Sequence, residues 1–415
     1  MSRYPVPHPF IDSIKEIQES SLLDPSPKFA QHDYECAINF LKQYINNKAT
    51  FESYRREIER LLQWSWLIAQ KSILDLKRQE IEDYVTFCLK PPKTWIGTKR
   101  TPRFIICKGE RKANPYWRPF VAHVSKQEHK QGVAPDKCKY QLSQKAIQEI
   151  FTVLSSFYNY LAIEEKVLIN PIALIKQKSR YLQKRQTKAV IMRLSERQWQ
   201  FCLETVKEMA ESEPQHERTL FMLSALYLLY LRISELSASE RWIPQMGHFY
   251  RDSSNRWWFK TVGKGNKMRE IAVSDDMLTA LKRYRKSLGL SVLPLPNEQI
   301  PLLSKEKGKG AITSTRYIRK IIQICFDKAI EKLKKEHFLS DADALAAATV
   351  HWLRHTGISD DINKRSRPVA HVRDDAGHSS SMITDRYNDI TLAERHHSAK
   401  HKKMKIKDAK LEEKN

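Results

Sequence analysis

The stretch from His351 to Tyr387 constrains this chain more than any other. It reads His351-Trp-Leu-Arg354-His355-Thr, then, after a gap, Gly377-His378-Ser-Ser-Ser-Met-Ile-Thr-Asp-Arg-Tyr387. On a helix, His351 and Arg354 stand at i and i+3 and share one face. His378 follows a glycine and precedes three serines, the pattern of a loop turning into a helix N-terminus. Tyr387 then falls near the far end of that short helix. One locus therefore gathers a guanidinium, two or three imidazoles and a phenol, a set able to bind a phosphodiester and attack it.

The rest of the composition narrows the partner. The 415 residues carry 72 Lys+Arg against 48 Asp+Glu, a formal charge of +24, which points to a polyanion such as nucleic acid or an acidic membrane surface. A membrane span is not expected, because the longest apolar run, Leu220 to Leu231, is interrupted by Ser224 and is too short. The N-terminus lacks the apolar core of a signal peptide. Six scattered cysteines, with no Cys-x-x-Cys, read as reduced and mostly buried thiols of a cytoplasmic protein. The glycine-rich segments Gly263–Lys267 and Lys307–Gly310 lack the spacing of a nucleotide-binding phosphate loop. No cofactor is expected.

His-x-x-Arg, then Gly-His, then a tyrosine nine residues on resembles the C-terminal signature of the tyrosine recombinases, the phage integrase family. That family also uses an upstream arginine and a lysine in a β-hairpin. Arg232, in Leu-Arg-Ile-Ser-Glu-Leu, and Lys264, in Val-Gly-Lys-Gly-Asn-Lys, stand in that order. The six residues Arg232, Lys264, His351, Arg354, His378 and Tyr387 thus fill every position of the family's active site. The resemblance implies a mainly α fold with a small antiparallel β-sheet: a two-domain, C-shaped DNA clamp made of a helical core-binding domain and an α+β catalytic domain. It implies double-stranded DNA carrying specific recombination sites as partner, a homotetramer on two duplexes, and a cytoplasmic, nucleoid-associated location. Three features depart from the pattern. Tyr230 stands two residues before Arg232, where glycine is common. Ala376 replaces a frequent leucine, and the segment from Asp360 to Asp375 is unusual.

Along the chain, residues 1–27 read as a flexible, proline-rich arm with one short helix near Ile11 to Glu19. Residues 28–175 read as the helical core-binding (SAM-like) domain. One helix there carries Tyr54, Ile58, Leu61 and Leu62, with Thr50 as a cap; another carries Ile81, Tyr84, Val85 and Cys88 and stops at Pro91-Pro92. A third starts at Leu142-Ser143. A basic insertion, about 93–139, holds Trp95, Trp117 and Phe120. It reads equally as a solvated loop or β-excursion with tucked aromatics and as a DNA-contacting flap. Residues 176–190 are a basic linker whose Lys176, Lys178, Arg180, Lys184 and Arg185 suit phosphate contacts. The catalytic domain spans 191–395, and 396–415 form a basic tail. Within that domain three short strands, near 249–250, 257–262 and 268–273, precede an amphipathic helix from Ser314 that turns Arg316, Arg319 and Lys320 outward. Ala344 to Thr356 reads as the helix carrying His351 and Arg354.

The resemblance supplies the roles. Arg232 and Arg354 clamp the non-bridging oxygens of a phosphodiester and stabilise its developing charge without a metal. Arg232 is equally placed to pair with Glu235. Tyr387 is the nucleophile, and its phenol, near pKa 10 when unperturbed, needs help to ionise. His351 is the expected general base. Lys264, with Lys267 as rival, protonates the leaving 5′-oxygen, and His378 bonds a non-bridging oxygen. A zinc site among His351, His355, His371 and His378 is disfavoured, because Trp352 stands where a zincin has glutamate and two arginines would repel the ion. His355 and His371 read as structural. A site-specific recombinase acting through a 3′-phosphotyrosyl intermediate, without metal or ATP, is the expected function. The alternatives are a type IB topoisomerase-like nicking-resealing enzyme and a non-cleaving DNA-binding regulator.

Overall fold

Five of the described helices begin where the sequence supplies an acceptor. Asn47, Ser143, Ser195, Ser274 and Ser314 each accept a hydrogen bond from the backbone N–H three residues on, at 3.2–3.3 Å. Each satisfies one of the unpaired donors at a helix start, worth about 1 kcal/mol. Thr50, expected as a cap, instead gives its N–H to Asn47. A computed structural model describes residues 4–17, 27–177, 192–263 and 265–387, and the chain divides into two compact units, Met1–Thr187 and Lys188–Asn415.

The first unit is a helical core with a β-excursion. Its helices are α1 (Ala30–Lys42), α2 (Lys48–Trp64) and α3 (Arg78–Leu89), followed by strands β1 (Ile96–Gly97), β2 (Phe104–Cys107), β3 (Glu110–Ala113) and β4 (Phe120–Val121), then α4 (Lys126–Lys130), α5 (Gln144–Ile163) and α6 (Pro171–Gln177). Apolar residues at helical spacing meet in one core: Phe40, Ile58, Leu61, Ile81, Tyr84, Phe151, Leu154 and Phe157 are all at most 2% exposed. In the insertion, β1 pairs with β4 in parallel and β2 with β3 antiparallel. Trp95, Phe120 and Trp117 are buried, with Arg60 over the Phe120 ring at 4.4 Å and Arg103 over Trp117 at 4.6 Å. The aromatics are thus tucked onto the unit, while the β2–β3 hairpin leaves Ile105 and Ile106 exposed.

The N-terminal segment is not a flexible arm over its described part. Phe10, Ile11 and Ile17 are buried, and the Phe10 and Ile11 N–H groups donate to Glu59 Oε1 at 2.7 and 2.9 Å. Residues 14–17 form a turn, not a helix. An extended, proline-spaced segment cannot satisfy its own backbone groups, so α2 does it with side chains: Gln63 reaches the His8 carbonyl at 2.7 Å. Such tertiary partners leave no periodic signal in the sequence.

The second unit contains α7 (Glu196–Ser212), α8 (Glu217–Leu228), the one-turn α9 (Ile233–Leu236), strands β5 (Phe249–Arg251), β6 (Trp257–Val262) and β7 (Met268–Ala272), then α10 (Asp275–Ser287), α11 (Thr315–Lys335), α12 (Leu339–Ala347), α13 (Val350–Asn363), α14 (Val369–Ala376) and α15 (Ser381–Asp385). The strands form an antiparallel meander, β5-β6-β7, with Phe249 opposite Phe259 and Val262 opposite Met268. Together the two units are mainly helical with small sheets. Where a single helix was expected over 344–356, there are two, because Ala348 and Thr349 would have to be helical and are instead extended. Gly357 lets α13 approach α8: a Cβ there would lie 2.0 Å from the Tyr227 carbonyl oxygen.

Candidate active site

Glu235 is the first fixed point. At the third position of α9 it accepts the Arg232 N–H at 2.8 Å, a capping contact, and the Arg232 guanidinium at 3.0 Å. Arg269, on β7, grips the same carboxylate with two bonds of 2.7 and 2.8 Å. Glu235 is 2% exposed. Burial opposes its charge, but Arg269 and Arg232 hold its carboxyl below the usual range. The β6–β7 hairpin touches this cluster at Gly263, where a Cβ would come within 2.9 Å of Arg269 Nη1.

The second fixed point is the C-terminus of α14, where helix carbonyls lack partners within the helix. Arg354, from α13, donates to the Ala376 carbonyl at 2.5 Å and also to the Tyr230 carbonyl. Arg232 donates to the Gly377 carbonyl at 3.3 Å, and Arg269 Nε to that of Asp375 at 3.0 Å. Gly377 has φ 62°, the left-handed turn that ends α14, and its missing side chain leaves room for Arg269. Arg354 is 2% exposed. Burial, then Arg232 beside it, push its guanidinium down to about 9, still protonated at neutral pH. Three guanidiniums face one carboxylate here, so the site carries excess positive charge suited to an anion.

The imidazoles and the phenol complete the locus. Tyr387 lies two residues beyond α15 and is 4% exposed, within a small cluster of Tyr230, Ile358, Ile362, Val372 and Ala376. Its hydroxyl is hydrogen-bonded to His355 Nδ1. The His355 ring stands 5.4 Å from the Tyr387 ring and 4.2 Å from that of His351. The His378 ring stacks 6.0 Å from Tyr387, and its Nδ1 bonds the Thr384 hydroxyl at 2.8 Å. Burial pushes the phenol up, offset in part by Arg354 and Arg232. Burial, then neighbouring cationic or imidazole groups, lower His355 to about 3 and His378 to about 4. His351 is lowered too, by loss of solvent and by Arg354 and Arg232. The imidazoles are therefore neutral in the free protein at pH 7.

The structure thus brings together Arg232, His351, Arg354, His378 and Tyr387. Lys264 lies outside the described residues; Gly265 and Asn266 beside it have φ 78° and 59°, and Lys267 is exposed. Lys178, Arg180, Lys184 and Arg185 also lie outside them, and Lys176 falls in the last turn of α6. Arg316, Arg319 and Lys320 are exposed on α11, whose inward Ile318, Ile322, Cys325, Ala329 and Leu333 are buried. His355, read from the sequence as structural, bonds the phenol directly. Its place one turn beyond His351, at i+4, was the available signal. Arg269 carried no motif signal, because only the strand pairing brings it to Glu235. Among the described residues no group of three or more His, Cys, Asp or Glu side chains is placed to hold a metal ion, and no helix is long and apolar enough to cross a membrane.

Comparison with known proteins bears on the family and the fold. Residues 192–394 match the phage integrase family. No curated protein matches the sequence. Among solved structures, the chain resembles the XerH site-specific recombinase in a post-cleavage complex with a palindromic difH substrate: TM-score 0.55, 14% identity, covering 94% of this chain and 93% of that one. It also resembles the Tn1549 transposon integrase in complex with transposon right end DNA, with TM-score 0.51, 15% identity, and 90% and 98% of the two chains covered. At these identities the likeness speaks for the fold. Over residues 192–394 the chain carries a domain of the phage integrase family, the tyrosine recombinases, which are DNA strand-transferring enzymes.

Proposed function

We propose that the protein is a site-specific DNA recombinase or integrase that breaks and rejoins strands through a covalent bond to Tyr387. The observation that carries this reading is the convergence of Arg232, Arg354, His378 and the His355-bonded Tyr387 on one end of α14. Arg232 and Arg354 take the non-bridging oxygens of the scissile phosphate, and their excess charge is offset when the anion enters. The same anion raises the neighbouring imidazoles back towards their ordinary range, which prepares them to accept a proton. The Tyr387 oxygen attacks phosphorus; its proton passes to His355, with His351 next to it. The O–P bond to Tyr387 forms as the bond to the 5′-oxygen breaks, and Lys264, or its rival Lys267, gives that oxygen a proton. A 5′-hydroxyl from another strand reverses the step. The phosphotyrosyl bond conserves the energy of the one broken, so neither ATP nor metal is required.

The partner is double-stranded DNA, in line with the DNA complexes formed by the XerH and Tn1549 proteins. The helical first unit serves as the core-binding domain, the basic residues 176–190 run along the backbone, and four copies act on two duplexes. The decisive test is a duplex nicked close to the cleavage point, which traps the adduct. Wild type forms a covalent protein–DNA adduct in excess EDTA, and Tyr387→Phe forms none. An adduct that survives Tyr387→Phe, or strict dependence on Mg²⁺, defeats the mechanism. Sedimentation on the trapped DNA separates a tetrameric recombinase from a monomeric topoisomerase-like enzyme.

A further inference from the structure

We propose that Tyr230 is a positioning residue for the arginine clamp, and that Asp361, Arg367 and Asp375 are what let a tyrosine occupy its strained turn. The inference rests on the strand-transfer reading above.

Tyr230 has φ 49°, a left-handed conformation that L side chains rarely adopt. The turn that follows α8 presents its carbonyl to Arg354, and Arg232 lies two residues on. A glycine, common here in the family the sequence resembles, would adopt this turn freely. Tyrosine needs an anchor, and the structure supplies one. Its phenol donates to Asp361. Arg367 Nη1 donates to the phenol oxygen at 3.0 Å and to Asp361 Oδ2 at 2.8 Å, and Arg367 Nη2 to Asp375 at 2.7 Å. Burial, then Asp361, push the phenol well above its ordinary value, so it remains a donor.

The arrangement is closed on itself. Arg354 and Asp361 are seven residues apart on α13, two turns along one face, so one helix holds Tyr230 by its carbonyl and by its phenol. Asp375 belongs to the last turn of α14, whose terminal carbonyls seat Arg354, Arg232 and Arg269. The Tyr230 ring lies in the same apolar cluster as Tyr387. Two departures from the family pattern, the tyrosine and the unusual Asp360–Asp375 segment, therefore account for each other: the segment's charges fix the turn, and the turn aims the clamp.

The test is single-turnover cleavage of the nicked duplex, measured with DNA affinity and the thermal midpoint. Tyr230→Phe removes only the hydroxyl and leaves Asp361 paired with Arg365 and Arg367, so the fold is retained. Its cleavage rate constant should fall about tenfold at unchanged DNA affinity, and Tyr230→Gly, which frees the turn without an anchor, should lose at least as much. Should either variant unfold below the assay temperature, Arg367→Lys carries the test, with an expected loss of about threefold at equal affinity. Wild-type rates in these variants, or losses that track DNA affinity or unfolding, overturn the proposal. Absence of an adduct with wild type breaks the strand-transfer reading first, and this inference with it.

Discussion

The two units both bury arginine beside carboxylate, but they balance the charge differently. In the first unit Arg60 and Glu57, 7% and 3% exposed, pair at 2.7 Å, and Arg60 also donates to the Pro119 carbonyl at 2.9 Å. Arg103 pairs with Glu59 in the same way. Each of these buried arginines faces a carboxylate, Glu57 also accepting from the half-exposed Arg56 at 2.7 Å, and the pairs tie α2 to the insertion and the N-terminal segment. In the second unit Glu235 serves both Arg232 and Arg269, while among the described residues Arg354 bonds only carbonyls. The buried charge of Arg60 is neutralised by a carboxylate, whereas that of Arg354 is held in place by backbone dipoles and left uncompensated, as the proposed anion site requires.

The largest expected effects test this contrast directly. Arg232→Ala or Arg354→Ala should lower single-turnover cleavage by about 10²–10³-fold, read on the nicked duplex. Arg60→Ala should instead cost about 1–3 kcal/mol of stability, because it strips the buried Glu57 Oε2 and the Pro119 carbonyl of their donor while Arg56 keeps Oε1; chemical denaturation measures it. Equal destabilisation by Arg232→Ala and Arg60→Ala would erase the distinction. Next in size, Gly357→Ala should cost about 1–3 kcal/mol and slow cleavage, since its methyl meets the Tyr227 carbonyl and must push α13, with Arg354, away from α8.

A smaller effect should appear with pH. His378 and His355 are lowered to about 4 and about 3, below their ordinary value near 6.5. The unfolded chain therefore binds protons first as pH falls. The second unit should keep its stability above pH 6.5 and lose it progressively from there towards pH 4. After discounting for solvent screening the loss is of the order of 1 kcal/mol per histidine. Thermal midpoints across that range, with and without His378→Asn, check it; a midpoint that is flat or rises on acidification breaks the account. The smallest effect belongs to the exposed face of α11. Arg316→Ala or Arg319→Ala should reduce the salt dependence of DNA affinity by about one counterion each, without changing the cleavage rate on bound DNA.

The reach of the sequence differs from element to element. The inward stripe of α11 and the helix starts at Ser143 and Ser314 were legible because they depend on neighbours three and four residues away. So was the order of Arg232, His351, Arg354, His378 and Tyr387, which short motifs carry. The seating of Phe10 and Ile11 on Glu59 was not, since an aperiodic segment does not reveal a partner some fifty residues away. Nor was the break between α12 and α13, where an alanine-rich run gave no boundary signal.

What this sequence determined alone is the set of reactive groups and the local elements bearing them, because hydrophobic spacing, caps and motif order are properties of neighbouring residues. Only the tertiary structure decided how those groups are held. The bond between His355 and Tyr387, the place of Arg269 on Glu235, and the carbonyl that Tyr230 turns towards Arg354 all join elements distant in the chain. They follow from how α13 and α14 pack beside α8 and β7, and packing is settled by the whole core at once.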